Sequence, residues 1–179
     1  MIFQSALPPL RLVFLMWLIF YIQLLSGFDL GPLGILPRNI YGLIGIFTAP
    51  LIHGNLNHLV SNTFPILFLG GIVFFFYPRI AVSVFFQGYF FTNALVWIFG
   101  RTHYHIGASG LVYSLAAFLV FNGFFKRDAL SVVISLIVMI IYGGLIYGVF
   151  PNEPWVSWES HLMGAIVGIG SALFLGKKA

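Results

Sequence analysis

The chain is built from long apolar segments separated by short connections rich in glycine, proline or charge. Six segments approach the length of about 20 mainly apolar residues that a transmembrane helix needs. They cover residues about 9–27, 58–77, 79–100, 108–125, 129–150 and 158–176. Several are uninterrupted and rich in aromatic residues. The pattern predicts an all-α, polytopic membrane protein whose six transmembrane helices form one domain over residues 1–179.

The composition supports this class of protein. Hydrophobic residues make up 60% of the chain and charged residues only 7%. A soluble domain carries about 25% charged residues, so the expected surrounding here is a lipid bilayer. Cysteine is absent, which excludes disulfides and a thiol nucleophile. The net charge of +4 is scattered singly or in pairs, so no nucleic-acid partner is expected.

The positive charges predict the orientation of the chain. In a six-span arrangement, one side holds Arg11, Arg79, Lys126, Arg127, Lys177 and Lys178, and the other holds Arg38 and Arg101. Cytoplasmic connections carry the excess of positive charge, so both termini are predicted to be cytoplasmic, in a plasma (inner) membrane. The starts of the second, fourth and sixth spans then open to the extracytoplasmic side.

Two connections on that side have unusual composition. Glycines and prolines interrupt residues 28–57, so this first connection is expected to lie partly in the membrane interface rather than form one helix. The last external connection, from Phe150 to Trp158, contains Pro151, Pro154 and Trp155. Such a stretch suits a lid at the depth of the lipid headgroups.

A serine opens the fourth span within Gly107-Ala108-Ser109-Gly110. The first turn of a helix has free N–H groups and a partial positive charge, so the backbone N–H of Ser109 could bind an oxyanion. Gly107 and Gly110 would let a substrate backbone approach closely. The alternative is that Ser109 is an N-cap and the glycines serve helix packing.

A histidine opens the sixth span in the same way. His161 shares a helical face with Gly164 and Gly168, which form a Gly-x-x-x-Gly contact. On the fourth span, Ser109 and Ala116 share a face in the same manner. Close packing of the two faces would bring His161 to the 2.6–3.2 Å from Ser109 that proton transfer requires. A histidine bonded to a neighbouring carbonyl is the structural alternative.

Two polar residues begin the second span. His58 and Asn62 are four residues apart and share a helical face. Their N–H groups could stabilise the charge that develops on a carbonyl oxygen during acyl transfer. Alternatively, Asn62 satisfies a helix carbonyl and His58 caps the span. His53 is expected to be structural and to anchor the first connection.

These three motifs together resemble those of the rhomboid intramembrane serine proteases. The family patterns Gly-x-Ser-Gly, His-x-x-x-Asn and His-x-x-Gly-x-x-x-Gly match residues 107–110, 58–62 and 161–168. The resemblance implies the compact six-helix form and a catalytic dyad of Ser109 and His161. It also implies an oxyanion site of the Ser109 N–H, His58 and Asn62, with Tyr113 stacked beside His161.

The implied activity is hydrolysis of peptide bonds in or near the transmembrane segments of single-pass or polytopic membrane proteins. Neither a cofactor nor a metal is expected. By the same analogy, the fifth span and the loop around Trp155 move to admit the substrate. Glu159 is not expected to complete a triad, because residues two apart do not share a helical face. The Trp-Arg pair of many members is absent before Phe47, which leaves the anchoring of the first connection open.

Two other functions remain as alternatives. All five histidines are predicted to be external, and His103 and His105 could bind a metal in a transporter or channel. Metal sites usually recruit cysteine or acidic ligands as well, and here cysteine is absent and the carboxylates are predicted in the connections or, for Glu159, at the end of one. An inactive, binding member of the family would be expected to have lost Ser109 or His161, and both are present.

Overall fold

The computed structural model describes residues 2–151 and 156–178, with side chains from residue 7 to residue 177 outside the gap. Its α-helices are α1 (Ile2–Ser26), α2 (Gly45–Thr48), α3 (Leu56–Phe76), α4 (Ala81–Phe99), α5 (Ser109–Lys126), α6 (Ala129–Tyr142) and α7 (Trp158–Leu175). Six segments are long and apolar enough to cross a membrane. The predicted all-α, six-helix architecture is confirmed. Pro154 and Trp155 of the expected lid lie outside the described residues.

The fifth span differs from the single helix expected over residues 129–150. The α-helix ends at Tyr142, and the chain continues as a 3-10 helix from Gly143 to Val149. Glycine is a poor helix former because it loses the most backbone freedom on folding, and Gly143 and Gly144 stand together at the change. The tighter helix turns the end of this span toward α7, and its residue Gly148 borders the site described below.

Helix α5 lies at the centre of the bundle. It contacts α3, α4, α6 and α7, and it is the most buried of the six spanning segments. Leu111, Leu115, Phe118 and Leu119 recur along it and are buried. A span surrounded by protein on most sides can carry polar residues without exposing them to lipid. Ser109 lies at the start of the span that is most shielded from lipid by the rest of the bundle.

Glycines bring α7 directly against α5. A Cβ added to Gly164 would collide with the backbone oxygen of Gly110, and one added to Gly168 would collide with that of Ser114. Lipid chains are as apolar as the helices, so helices associate in a membrane through close van der Waals packing of this kind. The contact sets the depth of α7 relative to α5 and brings His161, one turn before Gly164, level with Ser109.

The first connection is held to α4 by side chains of that helix. The chain forms 3-10 turns at Gly31–Leu33, Ile40–Leu43 and Ala49–Leu51 around the short α2. The amide of Asn93 donates to the carbonyl of Ile46 at 3.1 Å, and the indole of Trp97 donates to that of Asn39 at 3.0 Å. Arg38 donates to carbonyls at the end of α4. These bonds anchor the connection without the Trp-Arg pair that the sequence lacks.

The glycine contact gives a first prediction. Gly164→Ala should lower the free energy of unfolding by about 1–3 kcal/mol, because the new methyl group meets backbone that must shift. Gly170→Ala is the matched control on the same helix, since a Cβ there has no neighbour within 4 Å. The midpoint of unfolding in detergent measures both. An equal effect of the two substitutions would contradict the packing role of Gly164.

Candidate active site

Ser109 is the first residue of α5, and Ala108 precedes it at the N-cap position without a side-chain cap. Ser109 therefore does not cap the helix. Gly107 adopts a positive φ of 101°, a conformation that favours glycine. A Cβ at this position would also lie only 2.5 Å from Nε2 of His58. The turn before Ser109 thus has two separate reasons to contain glycine at position 107. The N–H of Gly107 donates to the carbonyl of Ala49 in the first connection at 2.8 Å.

The side chains of Ser109 and His161 are in hydrogen-bond contact. The distance between Oγ of Ser109 and Nε2 of His161 is 2.9 Å, and Nδ1 of His161 is 2.8 Å from the carbonyl oxygen of Gly148. A carbonyl only accepts, so Nδ1 carries the proton and donates it to Gly148. In the neutral ring Nε2 is then unprotonated and accepts the hydrogen bond from the serine hydroxyl. This tautomer is the one that a general base for Ser109 needs.

Tyr113 fixes the plane of the His161 ring. The two rings are stacked with centroids 4.1 Å apart and an angle of 5° between their planes. Gly148 packs against the ends of both rings, because a Cβ added to it would collide with the Tyr113 hydroxyl and lie 3.1 Å from Nδ1 of His161. His161 is therefore held by a ring face and a backbone carbonyl. Sequence reasoning missed Gly148, because the backbone oxygen it supplies is common to every residue type.

Glu159 is bonded to Arg101 rather than to His161. Its carboxylate accepts from the backbone N–H and the guanidinium of Arg101. Among the hydrogen bonds of the described residues, none joins a carboxylate to His161. The expectation that Glu159 does not belong to a triad agrees with this geometry. The hydrogen bond to the Gly148 carbonyl takes the place that a carboxylate has in a triad.

His58 and Asn62 lie beside the Ser109 turn, but the Asn62 amide already has two partners. Its Nδ2 donates to the carbonyl of His58 at 3.1 Å and lies 3.1 Å from Nε2 of His53. Asn55, not His58, caps α3, because its side chain accepts from the N–H of His58 at 2.8 Å. The alternative that placed His58 as the cap is therefore wrong.

His53 supports this pair from the first connection. It is 1% exposed, and its ring meets that of His58 edge-on, with centroids 4.9 Å apart. Burial, with His58 nearby, lowers the pKa of His53 to about 4, so the ring is neutral at neutral pH. An unprotonated Nε2 can accept from Asn62. The expected structural residue thus contacts one of the candidate oxyanion donors.

All the predicted polar site residues reach one cavity of about 830 Å³. Its lining includes Ser109, His161, His58, Asn62 and Tyr113. This volume lies within the usual range for a binding site, about 300–1,000 Å³. Gly107 forms the turn at its wall, whereas Gly164 and Gly168 act from behind through helix packing. The cavity therefore brings together the Ser109 hydroxyl, the His161 imidazole and several N–H donors.

Three potential metal ligands also come together near the cavity, with one atom from each of His103, His105 and Glu159 within 4.8 Å of the others. The potential metal-binding atoms of His105 and Glu159 already have hydrogen-bond partners. His105 contacts Ser157 through Nδ1 at 2.5 Å and the carbonyl of Arg101 through Nε2 at 3.0 Å. Arg101 pairs with Glu159. This cluster acts as a hydrogen-bond network that joins the segments before α5 and α7.

Comparison with known proteins agrees with the motifs and the fold. The rhomboid domain family matches residues 41–178. An uncharacterized protein of Mycobacterium bovis is 37% identical over 183 residues, covering 93% of this chain and 73% of its own length. An uncharacterized protein of Mycobacterium leprae is 35% identical over 178 residues, covering 90% and 67%. The chain is a multi-pass integral membrane protein and belongs to the rhomboid family of intramembrane serine proteases.

Proposed function

We propose that this protein is an active intramembrane serine protease that hydrolyses peptide bonds in or near transmembrane segments of other membrane proteins. The observation that carries the proposal is the chain of contacts from Ser109 through His161 to the Gly148 carbonyl, at 2.9 and 2.8 Å. It supplies a nucleophile, an unprotonated nitrogen to take its proton and a fixed ring orientation. A serine hydroxyl is a weak nucleophile unless an adjacent base activates it.

The reaction is acyl transfer in two steps. Nε2 of His161 takes the Ser109 proton as Oγ attacks the peptide carbonyl carbon, and the imidazolium then protonates the leaving amine. A water molecule, deprotonated by the same nitrogen, attacks the acyl-enzyme and releases the new carboxyl terminus. The Gly148 carbonyl stabilises the charged imidazolium through its bond to Nδ1–H, while the Tyr113 ring keeps the imidazole plane fixed.

The oxyanion would be bound at the start of α5. The N–H of Ser109 belongs to the first turn of a helix, where backbone donors lack an intrahelical acceptor. The His58 ring and the Asn62 amide lie beside the turn before Ser109, where a Cβ added to Gly107 would be 2.5 Å from Nε2 of His58 and 3.7 Å from Nδ2 of Asn62. Asn62 must exchange one of its present partners, the His58 carbonyl or the His53 ring, for the oxyanion. Giving up a partner costs free energy, and a hydrogen bond to the charged oxyanion offsets that cost better than one to the neutral carbonyl of the substrate. The asparagine would therefore stabilise the transition state more than the bound substrate.

The positive-inside count supports the orientation of the site. With both termini cytoplasmic, the cavity opens to the extracytoplasmic side of a plasma (inner) membrane, where water is available. Substrates would be single-pass or polytopic membrane proteins that reach the cavity through the bilayer. The 3-10 helix Gly143–Val149 lines the cavity at Leu145 and packs against α7, and its Gly148 carbonyl accepts from His161. Movement of the fifth span would therefore open the site and release His161.

Substitution of the dyad tests the proposal directly. Ser109→Ala and His161→Ala should each abolish cleavage of a model transmembrane substrate by the purified protein, while the unfolding midpoint stays near that of the wild type. A serine-reactive phosphonate should label Ser109 only when His161 is present. Cleavage at the wild-type rate by either variant would exclude the dyad. Metal-dependent flux without labelling would favour a transporter, and binding without cleavage or labelling would favour an inactive member.

Removal of the Asn62 amide tests the oxyanion site. Asn62→Ala should lower kcat about 100- to 1,000-fold, or about 2.7–4 kcal/mol, with a small change in KM, because the donor acts mainly in the transition state. Thr63→Ala is the control, since Thr63 also donates to a carbonyl one turn back on the same helix but is not among the residues that line the cavity. A negligible effect on kcat would make Asn62 structural.

The neutral state of His53 gives a pH dependence of stability. Its pKa is about 4 in the folded protein against an ordinary 6.5, so the unfolded chain takes up the proton first. The contribution of neutral His53 to the free energy of unfolding is fully present above pH 6.5. It decreases by about 3 kcal/mol as the pH drops toward 4. His53→Gln should remove that part of the slope. Unfolding curves at pH 7 and pH 4.5 for both proteins measure it, and identical slopes would refute the assignment.

A further inference from the structure

An ion pair joins the two segments that lead into the dyad. Arg101 lies near the start of the connection that leads from α4 to Ser109, and Glu159 lies in the first turn of α7, two residues before His161. Nε of Arg101 lies 2.5 Å from Oε1 of Glu159, and the second guanidinium nitrogen donates to Oε2 at 3.2 Å. The backbone N–H of Arg101 donates to Oε1 as well, at 3.2 Å.

The pair fixes orientation as well as distance. The Glu159 side chain is 3% exposed and that of Arg101 is 40% exposed, so the carboxylate is buried and the guanidinium reaches the surface. A two-point contact between these planar groups allows few relative orientations. Rotation of α7 would break the pair and leave the buried Glu159 carboxylate without a partner. Because an unpaired buried charge is costly, the pair opposes this rotation. The hydrogen bonds that Arg101 donates to Glu159 raise the pKa of the guanidinium further above its ordinary value.

Further contacts extend this connection along the start of α7. Arg101 also donates to the carbonyl of Val156 at 3.0 Å, and its guanidinium lies 5.8 Å from the ring centroid of Trp158. Ser157 contacts Ser160 at 2.7 Å as well as His105. The first turn of α7 is thus bound to the segment before Ser109, and the glycine contact holds the next turn.

We infer that Arg101 and Glu159 are positioning residues that set the rotation of the first turn of α7, and with it the approach of His161 to Ser109. The inference rests on the proposed function. A pair that served stability alone could be replaced by apolar packing, which is often equal or better in energy. Apolar side chains would not define the angle about the helix axis that a 2.9 Å contact between Ser109 and His161 requires.

The test uses conservative substitutions in the full-length protein. Arg101→Lys keeps the charge but loses the two-point contact, and Glu159→Gln keeps the shape but loses the charge. Each should lower kcat and the rate constant of phosphonate labelling by up to about 100-fold, with KM changed little, since a displacement near 1 Å suffices. Arg38→Lys is the matched control, because Arg38 also donates to Gly100 and Thr102 but not to α7.

A second measurement does not depend on catalysis. In a Ser109→Ala background with ¹⁵N-labelled histidine, the Nδ1–H resonance of His161 reports its hydrogen bond to Gly148. It should shift or broaden in the Arg101 and Glu159 variants and stay unchanged with Arg38→Lys. If Glu159→Gln does not fold, Arg101→Lys still decides the outcome.

Several results would overturn the inference. They are an unchanged His161 resonance, unchanged kcat and labelling in folded variants, or an equal loss with Arg38→Lys, which would indicate general weakening of the connection. Failure of the wild-type protein to cleave or label would refute the proposed function instead. In that case the resonance still reports whether the ion pair positions His161.

Discussion

The site depends on the close approach of α5 and α7. A membrane gives helices no hydrophobic reason to associate, so the contact relies on backbone surfaces that fit without side chains between them. Gly164 against Gly110 provides such a surface, one turn from His161 and next to Ser109. A side chain at this point would push the helices apart, and a separation of even 1 Å would lengthen the 2.9 Å contact between Ser109 and His161 beyond a hydrogen bond.

Within that frame, His161 is oriented by groups from two other helical segments. Tyr113 of α5 stacks on its ring, and the Gly148 carbonyl in the fifth span accepts from Nδ1–H. A serine protease triad uses a carboxylate for the second task. A backbone carbonyl does it here without placing another charge below the membrane surface, where a charge would be expensive. The orientation of the His161 ring is consequently sensitive to the position of the fifth span.

Polar networks hold the connections around this core. Asn93 and Trp97 of α4 bind carbonyls of the first connection, and the N–H of Gly107 bonds back to that connection. His105 and Arg101 bind the segment before α7. Most of these bonds use backbone carbonyls as acceptors, which satisfies irregular backbone that could not otherwise lie at membrane depth. The turn before Ser109 is thus supported from the first connection and from the segment leading to α7.

The sequence by itself determined the six spans, the absence of one helix through the first connection, and the three motifs that hold the site residues. These follow from local properties, namely apolar length, glycine and proline content and residue spacing. Only the tertiary structure decided that Gly148 supplies an acceptor to His161, that Asn62 contacts His53, and that Glu159 pairs with Arg101. Each of these contacts joins segments distant in sequence or uses a backbone atom, so its geometry is set by helix packing and leaves no pattern in the chain.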